Sequence, residues 1–267
     1  DTHELERRRG ITIFSKQAQL PLQNMDITLV DTPGHVDFSA ETERVLPVLD
    51  CAVLVISGTD GIQAHTLTLW RLLERYQVPV FLFINKMDLP DTDRKKLLAQ
   101  LQSRLSPGCL DALAEDFEEN AALCDEALLE QYLTSGEISD GQLRELVADR
   151  KIFPCCFGSA LKLAGITEFL TILDRLAPEF APKAEFAARV HKISRDGQGN
   201  RLTWLKLTGG KLKVRTPIGE EKIQAIRLYS GEKFTAVESV CAGTLCAVTG
   251  LTSTYIGQGL GTQAAAC

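Results

Sequence analysis

No run of about 18 consecutive apolar residues occurs in the sequence, which argues against a helical membrane span. The opening segment, DTHELERRRG, is charged and lacks the apolar core of a secretory signal. It also lacks an initiator Met, so the chain is expected to be a fragment or a processed product. Cys-x-x-Cys pairs are missing. The eight cysteines, at 51, 109, 124, 155, 156, 241, 246 and 267, and four scattered histidines match no zinc template. Cys51, Cys155 and Cys156 sit in apolar runs, where a free thiol acts as a small hydrophobe. The pattern is that of a reduced, cytoplasmic chain. An excess of positive charge is absent too. Lys and Arg total 29 against 35 Asp and Glu, net −6, so a uniformly basic nucleic-acid binder is not expected. Hydrophobic residues at 45% and charged residues at 24% argue against disorder, collagen and a disulfide miniprotein.

What is present is unevenly spread. At 267 residues the chain is long enough for one large or two smaller domains with a substantial core. Residues 111–150 carry 2 basic and 12 acidic groups, whereas residues 183–267 carry 12 and 6. A basic C-terminal module beside an acidic insert fits a partner with spatially defined charge such as RNA, or simply a solvated surface.

Up to residue 180, apolar runs alternate with helical patterns. The runs Asp26–Asp31, Cys51–Ser57, Pro79–Asn85 and Ile152–Phe157 are rich in Val, Ile, Leu and Phe with little alternation, as buried parallel strands are. Ala40–Leu49, Gln63–Tyr76, Asp91–Leu105 and Gly165–Leu176 read as helices. This alternation predicts a doubly wound α/β sheet, whose ligands bind at the carboxyl ends of the strands. Residues ~106–150 interrupt it as an insert, with one long acidic helix over Asp111–Leu133 and another over Ser139–Arg150. Pro178 and Pro182 bracket a linker. Beyond it, Phe186–Ile193, Arg201–Leu207, Lys222–Leu228 and Gly243–Val248 are short β-rich runs between glycine turns, the pattern of a small β-barrel.

Four strings carry chemistry. Asp31-Thr32-Pro33-Gly34-His35-Val36-Asp37-Phe38 directly follows an apolar run. An Asp there can hold Mg²⁺ through water while the metal bridges nucleotide phosphates. Gly34 lets a backbone N–H approach a terminal phosphate, and the His35 imidazole can position an attacking water. Asn85-Lys86-Met87-Asp88 follows a second apolar run. The Asp88 carboxylate can accept the N1 and 2-amino N–H groups of guanine, which adenine cannot offer. Asn85 would tie the loops together, and the Lys86 stem would cover the base. An Asn turn with solvated charges is the other reading of that string. In Gly158-Ser159-Ala160-Leu161, the Ala160 amide could reach guanine O6 while Ser159 braces Asp88. In Glu6-Arg7-Arg8-Arg9-Gly10-Ile11-Thr12-Ile13, the Thr12 hydroxyl could ligate Mg²⁺ when a loop closes.

Together these strings resemble the translational GTPases, within them elongation factor G and its relatives, and most of all the tetracycline-resistance ribosomal protection proteins. Val48-Leu49-Asp50, Asp60-Gly61-Ile62-Gln63-Ala64-His65-Thr66, Leu128-Leu129-Glu130-Gln131-Tyr132, Ile152-Phe153-Pro154 and Arg201-Leu202-Thr203-Trp204 extend the resemblance over essentially the whole chain. It implies an incomplete α/β doubly wound P-loop GTPase domain over 1–178 and a small β-barrel second domain over 183–267. It implies Thr12 and Asp31 at Mg²⁺, Gly34 sensing the γ-phosphate, His35 as the catalytic residue, and Ile11 in a hydrophobic gate flanking it. Asn85, Lys86, Asp88, Ser159, Ala160 and Leu161 would bind guanosine. GTP or GDP and Mg²⁺ would be the cofactors, and the ribosome, both RNA and proteins, the partner of a cytoplasmic monomer without membrane attachment.

The sequence departs from the family in one respect: it has no Gly-x-x-x-x-Gly-Lys-[Ser/Thr] phosphate loop. The family places that loop upstream of residue 1 and continues beyond the barrel, so a fragment of a longer GTPase is expected. Its task would be tetracycline release. The alternatives are a paralogue in translocation or release-factor recycling, and a non-hydrolysing ribosome- or RNA-binding module.

Overall fold

The computed structural model describes residues 16–34, 39–231 and 233–262. They divide between two compact units, one of residues 22–25 and 49–179 and the other of the remaining segments.

Among the described residues, the first elements form an antiparallel hairpin, β1 (Lys16–Pro21) and β2 (Asp26–Asp31), in register from Lys16 opposite Asp31 to Pro21 opposite Asp26. This corrects the expectation that Asp26–Asp31 is a buried member of the parallel sheet: the hairpin is a separate two-stranded sheet. Apolar composition calls for strand pairing without naming the partner. The turn Leu22–Met25, closed by the Leu22 amide on the Met25 carbonyl at 2.8 Å, makes the neighbouring segment the partner with the shortest loop to close. Leu29 is half exposed, as on a sheet open to solvent on one face. Helix α1 (Ser39–Val45) and a 3₁₀ turn (Leu46–Val48) follow.

The α/β unit is a four-stranded parallel sheet in the order β3 (Ala52–Ser57), β4 (Val80–Asn85), β6 (Phe153–Phe157), β5 (Cys109–Asp111). Phe81, Leu82 and Ile84 of β4 are fully buried, as a central parallel strand requires. The crossovers are α2 (Ala64–Arg75) and α3 (Arg94–Arg104), and α7 (Ile166–Leu176) follows β6. Helix α3 begins where the Asp93 carboxylate accepts the Lys96 amide at 3.2 Å.

The insert differs from its predicted form. Cys109–Asp111 pairs in parallel with β6 as a short edge strand that the acidic helical pattern concealed. The rest is not one helix but α4 (Phe117–Ala122) and α5 (Glu126–Ser135), before α6 (Asp140–Ala148). Asp125 makes the break. Its carboxylate accepts the Leu128 amide at 3.0 Å, a new N-cap, and pairs with the Lys151 ammonium at 2.6 Å.

The second unit is β-rich. Six antiparallel strands run in the order β13 (Lys233–Val237), β12 (Ala225–Ser230), β15 (Leu245–Thr249), β8 (Arg201–Gly209), β7 (Ala187–Arg195), β16 (Gly259–Gly261). Smaller pairs join β9 (Lys211–Lys213) to β14 (Ser239–Cys241) and β10 (Pro217–Ile218) to β11 (Glu221–Lys222). Val190, Leu205, Ile226 and Val248 of the large sheet share one core with Leu212 and Val240 of the small pair. The hairpin belongs to this unit, through the Gly231 amide on the Gln17 carbonyl at 2.7 Å.

His191 is buried on β7, where the pairing of β7 with β8 slips between Val190 and Lys192. Neither ring nitrogen has a hydrogen-bond partner among the described residues. Burial, helped by the nearby Lys192 and Lys206, pushes its pKa down to about 3 from an ordinary 6.5. The unfolded chain therefore takes up a proton first. Stability is full above pH 6.5 and is lost as pH falls toward 3, by about 2 kcal/mol at pH 5. Urea unfolding at pH 7 and pH 5 should show this loss, and His191→Leu should remove most of it. Glu221, held at about 2 by the Thr252 hydroxyl and amide with help from Ser253, titrates below that window. An equal midpoint at both pH values in the unsubstituted protein would contradict the prediction.

Candidate functional site

Strands β4 and β6 are parallel neighbours, with Leu82 opposite Cys155 and Ile84 opposite Phe157. Their carboxyl ends therefore emerge side by side, which brings residues 85–88 against residues 158–161 across 70 residues of sequence separation or more. The Gly158 amide donates to the Ile84 carbonyl at 2.9 Å, and the Met87 amide donates to the Gly158 carbonyl at 3.0 Å. Gly158 is required there: a Cβ would stand 2.2 Å from the Ala164 carbonyl oxygen and 3.0 Å from the Phe83 ring. Below the loop, the Arg94 guanidinium pairs with Asp111 and lies 4.9 Å from the centre of the Phe157 ring.

Asn85 ties the two loops together. Its Oδ1 accepts the Lys86 amide and the Ala160 amide, each at 2.8 Å. Lys86 takes a left-handed φ of 65°, an uncommon conformation for a residue with a side chain. The Ala160 amide, expected to face guanine O6, is thus engaged by Asn85, because the side-chain carbonyl is the acceptor within its reach. Ser159 is buried, with its amide on the Ala164 carbonyl at 2.9 Å. Its hydroxyl donates to the Asp88 carboxylate, the largest influence holding that group below the ordinary carboxylate range, and Lys162 adds to it. The Asp88 side chain is 17% exposed and its Oδ2 lies 3.3 Å from the Lys162 ammonium. The result is a fixed, ionised acceptor pair at a loop surface. Leu161 is 91% exposed beside it.

Three contributors were not read from the sequence. Gly58 donates its amide to the Asn85 carbonyl at 2.7 Å, and a Cβ there would meet the Met87 sulfur at 2.8 Å. Thr92 directs its hydroxyl at the Met87 carbonyl, 3.1 Å, and the Leu89 carbonyl, 2.9 Å. Lys162 is the third; a cation directly after Ser-Ala-Leu was a charge signal that could have flagged it.

The remaining sequence-predicted residues are placed differently. Asp31 ends β2, and Gly34 is exposed; both belong to the other unit. The Pro33 carbonyl between them accepts the Thr42 hydroxyl at 3.0 Å. Ile11, Thr12 and His35 lie outside the described residues. Among the described residues, no three or more His, Cys, Asp or Glu side chains gather as a metal site. Among the described residues, no helix is long and apolar enough to cross a membrane.

The profile of the family "Elongation factor Tu GTP binding domain" matches residues 1–179. The chain belongs to this family. Its curated relatives include the oxytetracycline resistance protein of Streptomyces rimosus, 31% identical over 98% of this chain and 46% of that protein. They also include the mitochondrial ribosome-releasing factor 2 of Drosophila willistoni, 28% identical over 94% of this chain and 43% of that protein. The chain thus spans less than half the length of the curated relatives it matches. A crystal structure of a Thermus thermophilus protein superposes with a TM-score of 0.85 over 97% of this chain and 47% of that one. At 21% identity that likeness shows the fold. As an elongation factor Tu-type GTPase domain with a β-rich unit after it, the chain is related to the tetracycline resistance proteins and to ribosome-releasing factor, within the translational GTPases.

Proposed function

We propose that the chain is part of a ribosome-dependent GTPase of the ribosomal protection type, in which GTP hydrolysis drives release from the ribosome after tetracycline is dislodged. Residues 1–178 act as the GTPase domain and 183–267 as the β-barrel second domain. The observation that carries the reading is the base site: an ionised Asp88 braced by Ser159, on loops that Asn85 stitches together. A carboxylate with two accepting oxygens is what the N1 and 2-amino N–H groups of guanine need, and adenine has no such pair. The pair of acceptors therefore fits a guanine base. Lys86 and Leu161 flank that base, and Gly34 is the residue assigned to the terminal phosphate. Thr12 and Asp31 are the Mg²⁺ residues; hard oxygen ligands suit that ion, which neutralises phosphate charge when bound. His35 orients the attacking water behind Ile11. The partner is the ribosome, met by a cytoplasmic monomer.

A translocation or release-factor-recycling role is the second reading, favoured by the similarity to ribosome-releasing factor. Tetracycline resistance conferred by the full-length gene on a sensitive host separates the two. The excess of basic over acidic groups in residues 183–267, 12 against 6, favours a third, a non-hydrolysing ribosome- or RNA-binding module. Titration with a fluorescent GDP analogue, competed by GDP and by ADP, decides whether the base site works. Displacement by GDP and not ADP supports it, and equal displacement removes it.

A further inference from the structure

Asp88 is not a bare carboxylate. The turn after Ser159 folds back tightly: the Ala164 amide donates to the Ser159 carbonyl at 3.0 Å and the Lys162 amide to the Ser159 hydroxyl at 3.4 Å. Leu163 closes the turn at a left-handed φ of 56°. This geometry lays the Lys162 side chain back over the loop, with Nζ 3.3 Å from Asp88 Oδ2. The lysine is 62% exposed, so its end can leave without disturbing packed atoms.

We propose that Lys162 is a positioning residue of the base site, whose ammonium competes with the 2-amino group of guanine for Oδ2 of Asp88 and so tunes purine selectivity. The inference rests on the base-site reading above. A carboxylate has two accepting oxygens. Guanine presents two N–H groups on one edge and claims both. Hypoxanthine presents N1–H alone and claims one, leaving Oδ2 to the lysine. Arrival of guanine therefore breaks or shares the ion pair, whereas arrival of hypoxanthine leaves it intact. An ammonium is a compact charge with three donors and no planar constraint, so it holds a single oxygen as readily as two. Lys162 lowers guanine affinity and leaves hypoxanthine affinity unchanged.

The test measures GDP, IDP and ADP dissociation constants for the full-length protein and its Lys162→Met and Lys162→Arg variants, at low and high ionic strength. Lys162→Met should raise the preference for GDP over IDP by about two- to five-fold, the range of an exposed ion pair. The gain should shrink at high ionic strength, where the pair is screened. Lys162→Arg should restore the original ratio. A merely structural role would move GDP and IDP together. An unchanged or lowered GDP-to-IDP ratio, in a protein that still prefers GDP over ADP, overturns the role of Lys162 alone. No preference for GDP over ADP in the unsubstituted protein overturns the base-site reading, and this inference with it.

Discussion

His35→Ala in the full-length protein should leave GDP affinity intact and lower ribosome-stimulated GTP hydrolysis by ~10²–10⁴-fold, the contribution of a positioned acid–base or water-orienting group. The expectation rests on the string Asp31-Thr32-Pro33-Gly34-His35, which places an imidazole one residue beyond the glycine assigned to the terminal phosphate. In the proposed role the imidazole acts on the attacking water and not on the base, so binding and turnover should separate. The measurement is single-turnover hydrolysis with ribosomes, paired with GDP titration. Turnover near that of the unsubstituted protein removes His35 from the chemistry. Equal loss of binding and turnover makes it a structural residue.

Asp88→Asn should change which purine is bound. In the proposed site the ionised Asp88 accepts two N–H groups of guanine, and hydrogen bonds to a charged acceptor contribute about 1.5–3 kcal/mol each. The asparagine amide replaces one accepting oxygen with a donor that faces the 2-amino group. Affinity for GDP should fall by about 10²–10³-fold, at ~1.4 kcal/mol per decade. Xanthine carries a carbonyl at position 2, which the new donor suits, so XDP should become the preferred ligand. Competition of GDP, XDP and ADP against one fluorescent nucleotide reads this out. An unaltered ranking of GDP above XDP would show that Asp88 does not contact the base. Because the Ser159 hydroxyl and then Lys162 hold the Asp88 carboxyl below its ordinary range, guanine preference should persist at mildly acidic pH.

Much of the site was legible because its chemistry is local. Asn85, Asp88 and Ser159 stand at the ends of apolar runs, and in a parallel sheet the ends of strands are where ligands bind. Three of the four predicted parallel strands lie in the sheet within a residue of their expected ends. The fourth, Asp26–Asp31, does not, since a run of Ile, Leu and Val specifies a strand and not its neighbour. The missed edge strand Cys109–Asp111 is only three residues long and offers no periodicity to read. Asp111–Leu133 reads as one helix because its acidic, amphipathic pattern continues through Asp125, and a cap inside such a pattern looks like another solvent-facing charge.

Taken by itself, the sequence determined that the chain has an α/β region followed by a β-rich one, and it singled out the loop residues proposed to read guanine. Periodicity and residue type are encoded one position at a time, so both survive without coordinates. Only the tertiary structure decided the rest. It set strand neighbours, because backbone hydrogen bonds are indifferent to side-chain identity. It engaged the Ala160 amide with Asn85 and laid Lys162 against Asp88, because both contacts form across a turn and between strands that sequence distance conceals. It also buried His191 on β7, where the imidazole loses access to water and, with it, most of its basicity.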